Sequence, residues 1–138
     1  MKVIVKENDP HAARTLERML RKLGHTSEWV EHAQDLLCDD TRFDPDIIIT
    51  DIFMPDVEGL ELIRRLKRSA LAHVPIIAVS GGGHFMGGIA DVENSFVAKA
   101  AITFGAARFL RKPVTLMELE AALAACSERG SSAPNVIR

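Results

Sequence analysis

The chain has 138 residues, 47% of them hydrophobic and 26% charged, with a formal net charge of -2. That length suits one domain with a real core and is too short for a domain plus an effector of similar size, and the near-balanced charge excludes binding to nucleic acid through bulk electrostatics. No stretch approaches the roughly 20 apolar residues that cross a bilayer, and Met1-Lys2-Val3-Ile4-Val5-Lys6 is too short for a signal-peptide core, so no membrane partner and a cytoplasmic location are expected.

The first strand is predicted at Val3-Ile4-Val5. A helix follows, with Asp9 as its cap, Pro10 in the first-turn position that its fixed φ favours, Leu16, Met19, Leu20 and Leu23 on one face, and Gly24 as its stop. A second strand at Thr26 to Val30 leads to a short, weakly patterned helix at Ala33 to Asp39. The third strand is the run Ile47-Ile48-Ile49-Thr50-Asp51, bounded by Asp44-Pro45 and Met54-Pro55, which reads as a central parallel strand covered on both faces. The third helix turns Leu62, Ile63 and Leu66 inward and places Arg64, Arg65, Lys67 and Arg68 on its outer face and C-terminal half, where positive charge suits the helix dipole.

The fourth strand is Ile76-Ile77-Ala78-Val79. The glycine-rich stretch Gly81 to Gly88 then lacks both the Gly-Lys-Ser/Thr ending of a P-loop and the third glycine of a dinucleotide fingerprint, and is read as a mobile loop. A fourth helix at Asp91 to Phe104, with Val92, Phe96, Val97, Ala100 and Phe104 at helical spacing, is ended by Gly105, and the fifth strand is Arg108-Phe109-Leu110. The last helix turns Leu116, Leu119, Leu123 and Cys126 inward, which gives one domain over residues 1–126 and a polar, flexible tail over residues 127–138. Cys38 and Cys126 lack C-x-x-C spacing and are expected to be reduced packing residues.

Strands alternating with helices specify an α/β fold with a parallel sheet, and the carboxyl ends of parallel strands share one rim. On that rim the sequence places Glu7 and Asn8 after the first strand, Asp51 after the third, Ser80 after the fourth and Lys112 after the fifth. Alone, Asp51 is equally consistent with a residue that ends its strand and caps the next turn. Together the five groups make a coherent phosphoryl-transfer site: a carboxylate nucleophile, hard oxygen ligands for magnesium, an ammonium to pair with the transferred group, and a hydroxyl donor.

These residues resemble the receiver domain of bacterial response regulators over about residues 1–126. The resemblance rests on Glu7-Asn8 within Val-Lys-Glu-Asn-Asp-Pro, on Asp51 within Thr-Asp-Ile-Phe-Met-Pro-Asp-Val-Glu-Gly-Leu-Glu-Leu, on Ser80, and on Lys112-Pro113. It implies a flavodoxin-like, doubly wound, five-stranded sheet of order 2-1-3-4-5 with helices on both faces. It implies further that Asp51 accepts a phosphoryl group from a phosphohistidine on a histidine kinase or histidine phosphotransfer protein. Mg2+ would be held by Glu7, Asn8, Asp51 and the backbone carbonyl of Phe53, with Lys112 on the phosphoryl group and Ser80 moving to hydrogen-bond it. Phe109 would be the aromatic switch that passes this change to the fourth and fifth helices, and the Lys112-Pro113 bond would be cis. The implied output is altered binding to a downstream protein, by a monomer or weak homodimer, with catalysis limited to slow Mg-dependent autophosphorylation and autodephosphorylation.

Two departures stand out. Asn8 occupies the place where the family most often supplies a second carboxylate, so weaker metal binding is expected. Lys112 follows Ser80 by 32 positions, a longer separation than usual, with the glycine stretch accounting for the excess and equally consistent with a segment that becomes ordered on phosphorylation and with a plain flexible insertion. A phosphatase of the haloacid dehalogenase type also uses a strand-end Asp, but it needs a second Asp two residues on, where this chain has Phe53. The remaining alternatives are a phosphorylation-independent pseudo-receiver that acts as an interaction module, and a fragment of a larger regulator or hybrid kinase.

Overall fold

The computed structural model describes residues 1–37, 44–52, 58–81 and 88–136. Five strands, β1 (Lys2–Lys6), β2 (Thr26–Val30), β3 (Ile47–Asp51), β4 (Ile76–Ser80) and β5 (Arg108–Arg111), alternate with five helices, α1 (Pro10–Lys22), α2 (Gln34–Leu37), α3 (Glu58–Leu66), α4 (Gly88–Phe104) and α5 (Leu116–Val136). All strand pairings are parallel and the order is β2-β1-β3-β4-β5, the flavodoxin-like arrangement expected from the resemblance. Chain direction across the sheet reverses beside β1, and ligands in such sheets bind at the carboxyl ends of the strands near that switch point.

Side-chain alternation along each strand divides the core into two layers. Ile4, Ile48, Ile76 and Ala78 pack with Leu62, Ile63 and Leu66 of α3 and Ala101 of α4. Val3, Val5, Ile47, Ile49, Ile77 and Val79 pack on the other face with Leu16 and Leu20 of α1 and Leu119, Leu123 and Cys126 of α5. β1, β3 and β4 are buried on both faces, which is why they read as unbroken apolar runs. Cys126 is a buried free thiol, as expected, and Cys38 lies outside the described residues.

Local chemistry sets the helix ends. Asp9 accepts a hydrogen bond from the His11 N–H at 3.1 Å and Pro10 opens α1, while Gly24, just past the end of α1, takes φ +89. Before α5, Thr115 and Glu118 form a reciprocal cap, with Thr115 N–H donating to Glu118 Oε1 at 2.9 Å and Glu118 N–H donating to Thr115 Oγ1 at 3.1 Å.

Several elements depart from the sequence reading. On α4 Val97, one of the residues at helical spacing, is partly buried and Ala101 is fully buried, while Phe96 is 73% exposed. The small side chain at Ala101 allows α4 to approach the sheet closely and leaves the bulkier aromatic outside. Lys67 does not belong to the outer basic face of α3: its Nζ turns back to donate to the carbonyls of Ala72 and Val74 at 3.2 and 3.1 Å. Finally, α5 continues to Val136, through residues where composition predicts a frayed tail, because each residue added to an existing helix gains a hydrogen bond without a new nucleation cost. Among the described residues no helix is long and apolar enough to cross a membrane.

Candidate functional site

β1, β3, β4 and β5 deliver their chemistry to one rim. Asp51 is the last residue of β3, and the next backbone N–H, of Ile52, donates to the Val79 carbonyl at 2.9 Å, so the strand is held in the ladder past the carboxylate. Ser80 ends β4 and is buried. Its carbonyl accepts from the Lys112 N–H at 2.8 Å, which fixes the start of the Lys112 side chain beside β4, and the Lys112-Pro113 bond is cis. Gly81 leaves room for the lysine stem, since a Cβ there would stand 3.1 Å from Lys112 Cδ.

Glu7 is pinned by its backbone from both sides: its N–H donates to Val30 at 3.3 Å, and its carbonyl accepts from Trp29 Nε1 at 2.8 Å. Its side chain is 2% exposed; Oε1 accepts the Asp9 N–H at 3.1 Å and Oε2 accepts from Lys112 Nζ at 3.0 Å. The same ammonium donates to Asp51 Oδ2 at 3.1 Å. Lys112 therefore bridges two carboxylates contributed by strands that are neighbours in the sheet.

The electrostatics follow from this crowding. Burial raises the pKa of Glu7 above the ordinary carboxylate value, and the Asp51 charge raises it further, against the opposing pull of the Asp9 N–H and Lys112. Burial works against the Lys112 charge, yet Asp51 and Glu7 outweigh it and hold the ammonium above its usual range. Two acids forced together in a poorly hydrated corner form a site that gains from a further cation. A cleft of about 700 Å³ opens beside them, lined by Glu7, Asp51 and Lys112 on one side and by Ala12, Thr15 and Met19 of α1 on the other.

The donor chemistry fits a small hard divalent ion in two respects and falls short in a third. Glu7 and Asp51 supply oxygen ligands and an unbalanced negative charge. Asn8, the expected third ligand, has its Oδ1 engaged by Lys6 Nζ at 2.8 Å, and among the described residues no group of three His, Cys, Asp or Glu side chains is placed to hold a metal. Phe53, whose carbonyl was expected in the metal shell, lies outside the described residues, as do residues 82–87 of the glycine stretch. Phe109 is partly buried and packs against the core layer that contains Ala101 of α4. Glu7, Asp51, Ser80 and Lys112 thus meet at the rim, Asn8 stands at its edge, and Phe109 lies one layer away on β5.

Sequence reasoning overlooked two contributors. Lys6 is buried at the end of an otherwise apolar strand, and Trp29 reaches across from β2 to the backbone of Glu7. The signal for Lys6 was a charge where the run Val3-Ile4-Val5 demands an apolar residue.

Comparison with known proteins agrees with this geometry. The response regulator receiver domain family matches residues 3–124. The transcriptional regulatory protein TcrA of Mycobacterium tuberculosis is 28% identical over 130 residues, which cover 94% of this chain and 47% of that protein. The sensory/regulatory protein RpfC of Xanthomonas campestris is 30% identical over 122 residues, covering 86% of this chain and 15% of that protein. The chain thus spans less than half the length of each of these relatives. Among solved structures, a sensor protein from Polaromonas sp. JS666 superposes with a TM-score of 0.73 at 26% identity, covering 94% of this chain and 97% of that one. A response regulator receiver domain protein from Clostridium thermocellum gives 0.75 at 24% identity, covering 94% and 96%, a likeness of fold. With the family match running from the first strand to the last helix, the chain belongs to the receiver domains of two-component response regulators.

Proposed function

We propose that this receiver is a phosphoacceptor: Asp51 takes a phosphoryl group from a phosphohistidine of a histidine kinase or histidine phosphotransfer protein and signals through changed protein contacts. The observation that carries the reading is the Lys112 ammonium shared between Asp51 Oδ2 and Glu7 Oε2 at the mouth of an open cleft. In the reaction an Asp51 oxygen forms a bond to phosphorus as the bond from phosphorus to the donor imidazole nitrogen breaks, and the electron pair returns to that nitrogen. Lys112 lies where it can follow the developing charge on the phosphoryl oxygens. Ser80, next to Lys112 in the β4–β5 ladder, would move its hydroxyl to the product, and Phe109 is the side chain that carries the change toward α4.

Mg2+, held by Glu7, Asp51, Asn8 and the Phe53 carbonyl, would supply charge neutralisation on the transferring group. Receiver domains are in general phospho-switches, and the chemistry assigned here is limited to accepting phosphate and slowly losing it. The test is intact mass after incubation with a small-molecule phosphodonor, with and without Mg2+, beside Asp51→Ala. A single adduct that requires Asp51 is expected, and its absence from folded protein, with another receiver labelled in parallel, would refute the proposal. One observation favours the second reading, a phosphorylation-independent interaction module: the Asn8 oxygen faces an ammonium.

A further inference from the structure

Trp29 is the single tryptophan of the chain and stands near the end of β2, an edge strand. It is 37% exposed, and among the described residues neither core layer contains it, so core packing alone does not hold the ring. Its register partner is Val5, on the sheet face that by strand alternation also carries Glu7 and Asp51, and its indole leans along β1 to donate to the Glu7 carbonyl at 2.8 Å. The ladder explains why a side chain is needed there. The Glu7 N–H donates to the Val30 carbonyl, and in a continuing parallel ladder the Glu7 carbonyl would next accept from the backbone N–H of His32. β2 ends at Val30, and Trp29 Nε1 supplies the bond instead.

Resting on the reading of the rim as a metal-assisted phosphoacceptor site, we infer that Trp29 is a positioning residue for it: the indole N–H fixes the Glu7 peptide and so aims the Glu7 carboxylate at Lys112 and Asp51. Glu7 needs such a hold. Its carboxylate shares one ammonium with Asp51, so two like charges face each other, and the Glu7 side chain, 2% exposed, has little water to relieve the repulsion. Without the indole, the backbone of Glu7 is tied to β2 through the 3.3 Å bond to Val30, and the carboxylate is free to turn from the rim. The net worth of one hydrogen bond sets the scale, about a fivefold loss in whatever depends on where Glu7 points.

With a single tryptophan, nitrogen-edited NMR of the full chain gives one indole N–H signal. It is expected to exchange slowly with solvent despite the open ring, to shift in Lys112→Met, where the Glu7 carboxylate loses its partner, and to shift on titration with Mg2+. Trp29→Phe keeps an aromatic ring and removes the donor. It is expected to bind Mg2+ about fivefold more weakly by calorimetry, and to take label from a small-molecule phosphodonor about fivefold more slowly, than the wild type. A merely structural tryptophan would lower the urea midpoint of Trp29→Phe and leave Mg2+ affinity and labelling unchanged, a result that overturns the inference. An indole signal blind to both Lys112→Met and Mg2+ overturns it as well. If the wild type takes no label or binds no Mg2+, the reading of the rim is at fault, and the indole response to Lys112→Met still decides whether Trp29 positions Glu7.

Discussion

Lys112→Met removes the ammonium that holds Glu7 and Asp51 together while retaining most of the stem that runs past Gly81. At 3.0 and 3.1 Å, with an effective dielectric of about 20, each contact is worth about 5 kcal/mol gross, most of it offset by the cost of taking the charges out of water. Deleting one partner of a buried ion pair typically costs about 3–5 kcal/mol. The Lys112 side chain is 28% exposed, so water partly screens the loss and the expectation falls to about 2–3 kcal/mol. Urea unfolding at neutral pH reads this as a lower midpoint with an unchanged slope. Millimolar Mg2+ is expected to restore more stability to Lys112→Met than to the wild type, because in the variant the two carboxylates face each other with no ammonium between them. A variant as stable as the wild type, or one whose stability does not respond to Mg2+, would refute the electrostatic account of this site.

Other perturbations test the scaffold around the rim. Gly59→Ala would place a Cβ 2.5 Å from the Ile52 Cα, a backbone atom that cannot move aside without shifting the residue after Asp51; a loss of about 2–3 kcal/mol by urea unfolding is expected, with reduced phosphodonor labelling. Thr115→Ala deletes half of the α5 cap and is expected to cost about 1 kcal/mol, with labelling unchanged; equal stability would show the cap to be idle. Burial, and then the Met1 ammonium beside its ring at 2.9 Å, lower the pKa of His25. The unfolded chain therefore takes up the proton first, and stability falls as pH drops below 6.5 toward the lower folded value. His25→Gln is expected to flatten that slope in thermal melts between about pH 7 and 5, and an unaltered slope would rule His25 out as its source.

The legibility of this fold tracks how strictly each residue's environment constrains it. β1, β3 and β4 are covered on both faces, so their apolar runs announced them, and the capping residues Asp9 and Gly24 marked the ends of α1. On α4 helical spacing grouped Phe96 with Val97 and did not distinguish which of them meets the core. Ala101 is fully buried while Phe96 is out in solvent, since a helix that lies close to a sheet is held there by its small residues. At the rim, order along the chain and strand ends were enough to gather Glu7, Asp51, Ser80 and Lys112. The lysine bridge was not legible, because it depends on which way a long side chain turns. The same freedom of long side chains hid Lys67, which caps carbonyls instead of facing solvent, and Lys6, which is buried and bonds to Asn8.

The position of Lys112 also bears on how a phosphoryl group would change the molecule. In the unphosphorylated site one ammonium is divided between Glu7 and Asp51. In the proposed reaction a phosphoryl group on Asp51 brings additional negative charge to one end of that bridge, so the balance tips and Lys112 is drawn from Glu7 toward the new oxygens. Its backbone N–H is bonded to the carbonyl of Ser80, and its stem lies against Gly81, so a movement of the ammonium acts directly on the end of β4. Phe109, three residues before Lys112 on β5, touches the layer that α4 closes. Under the proposed function, the route from charge to surface would run through the shared ammonium, the β4–β5 ladder and the Phe109 ring.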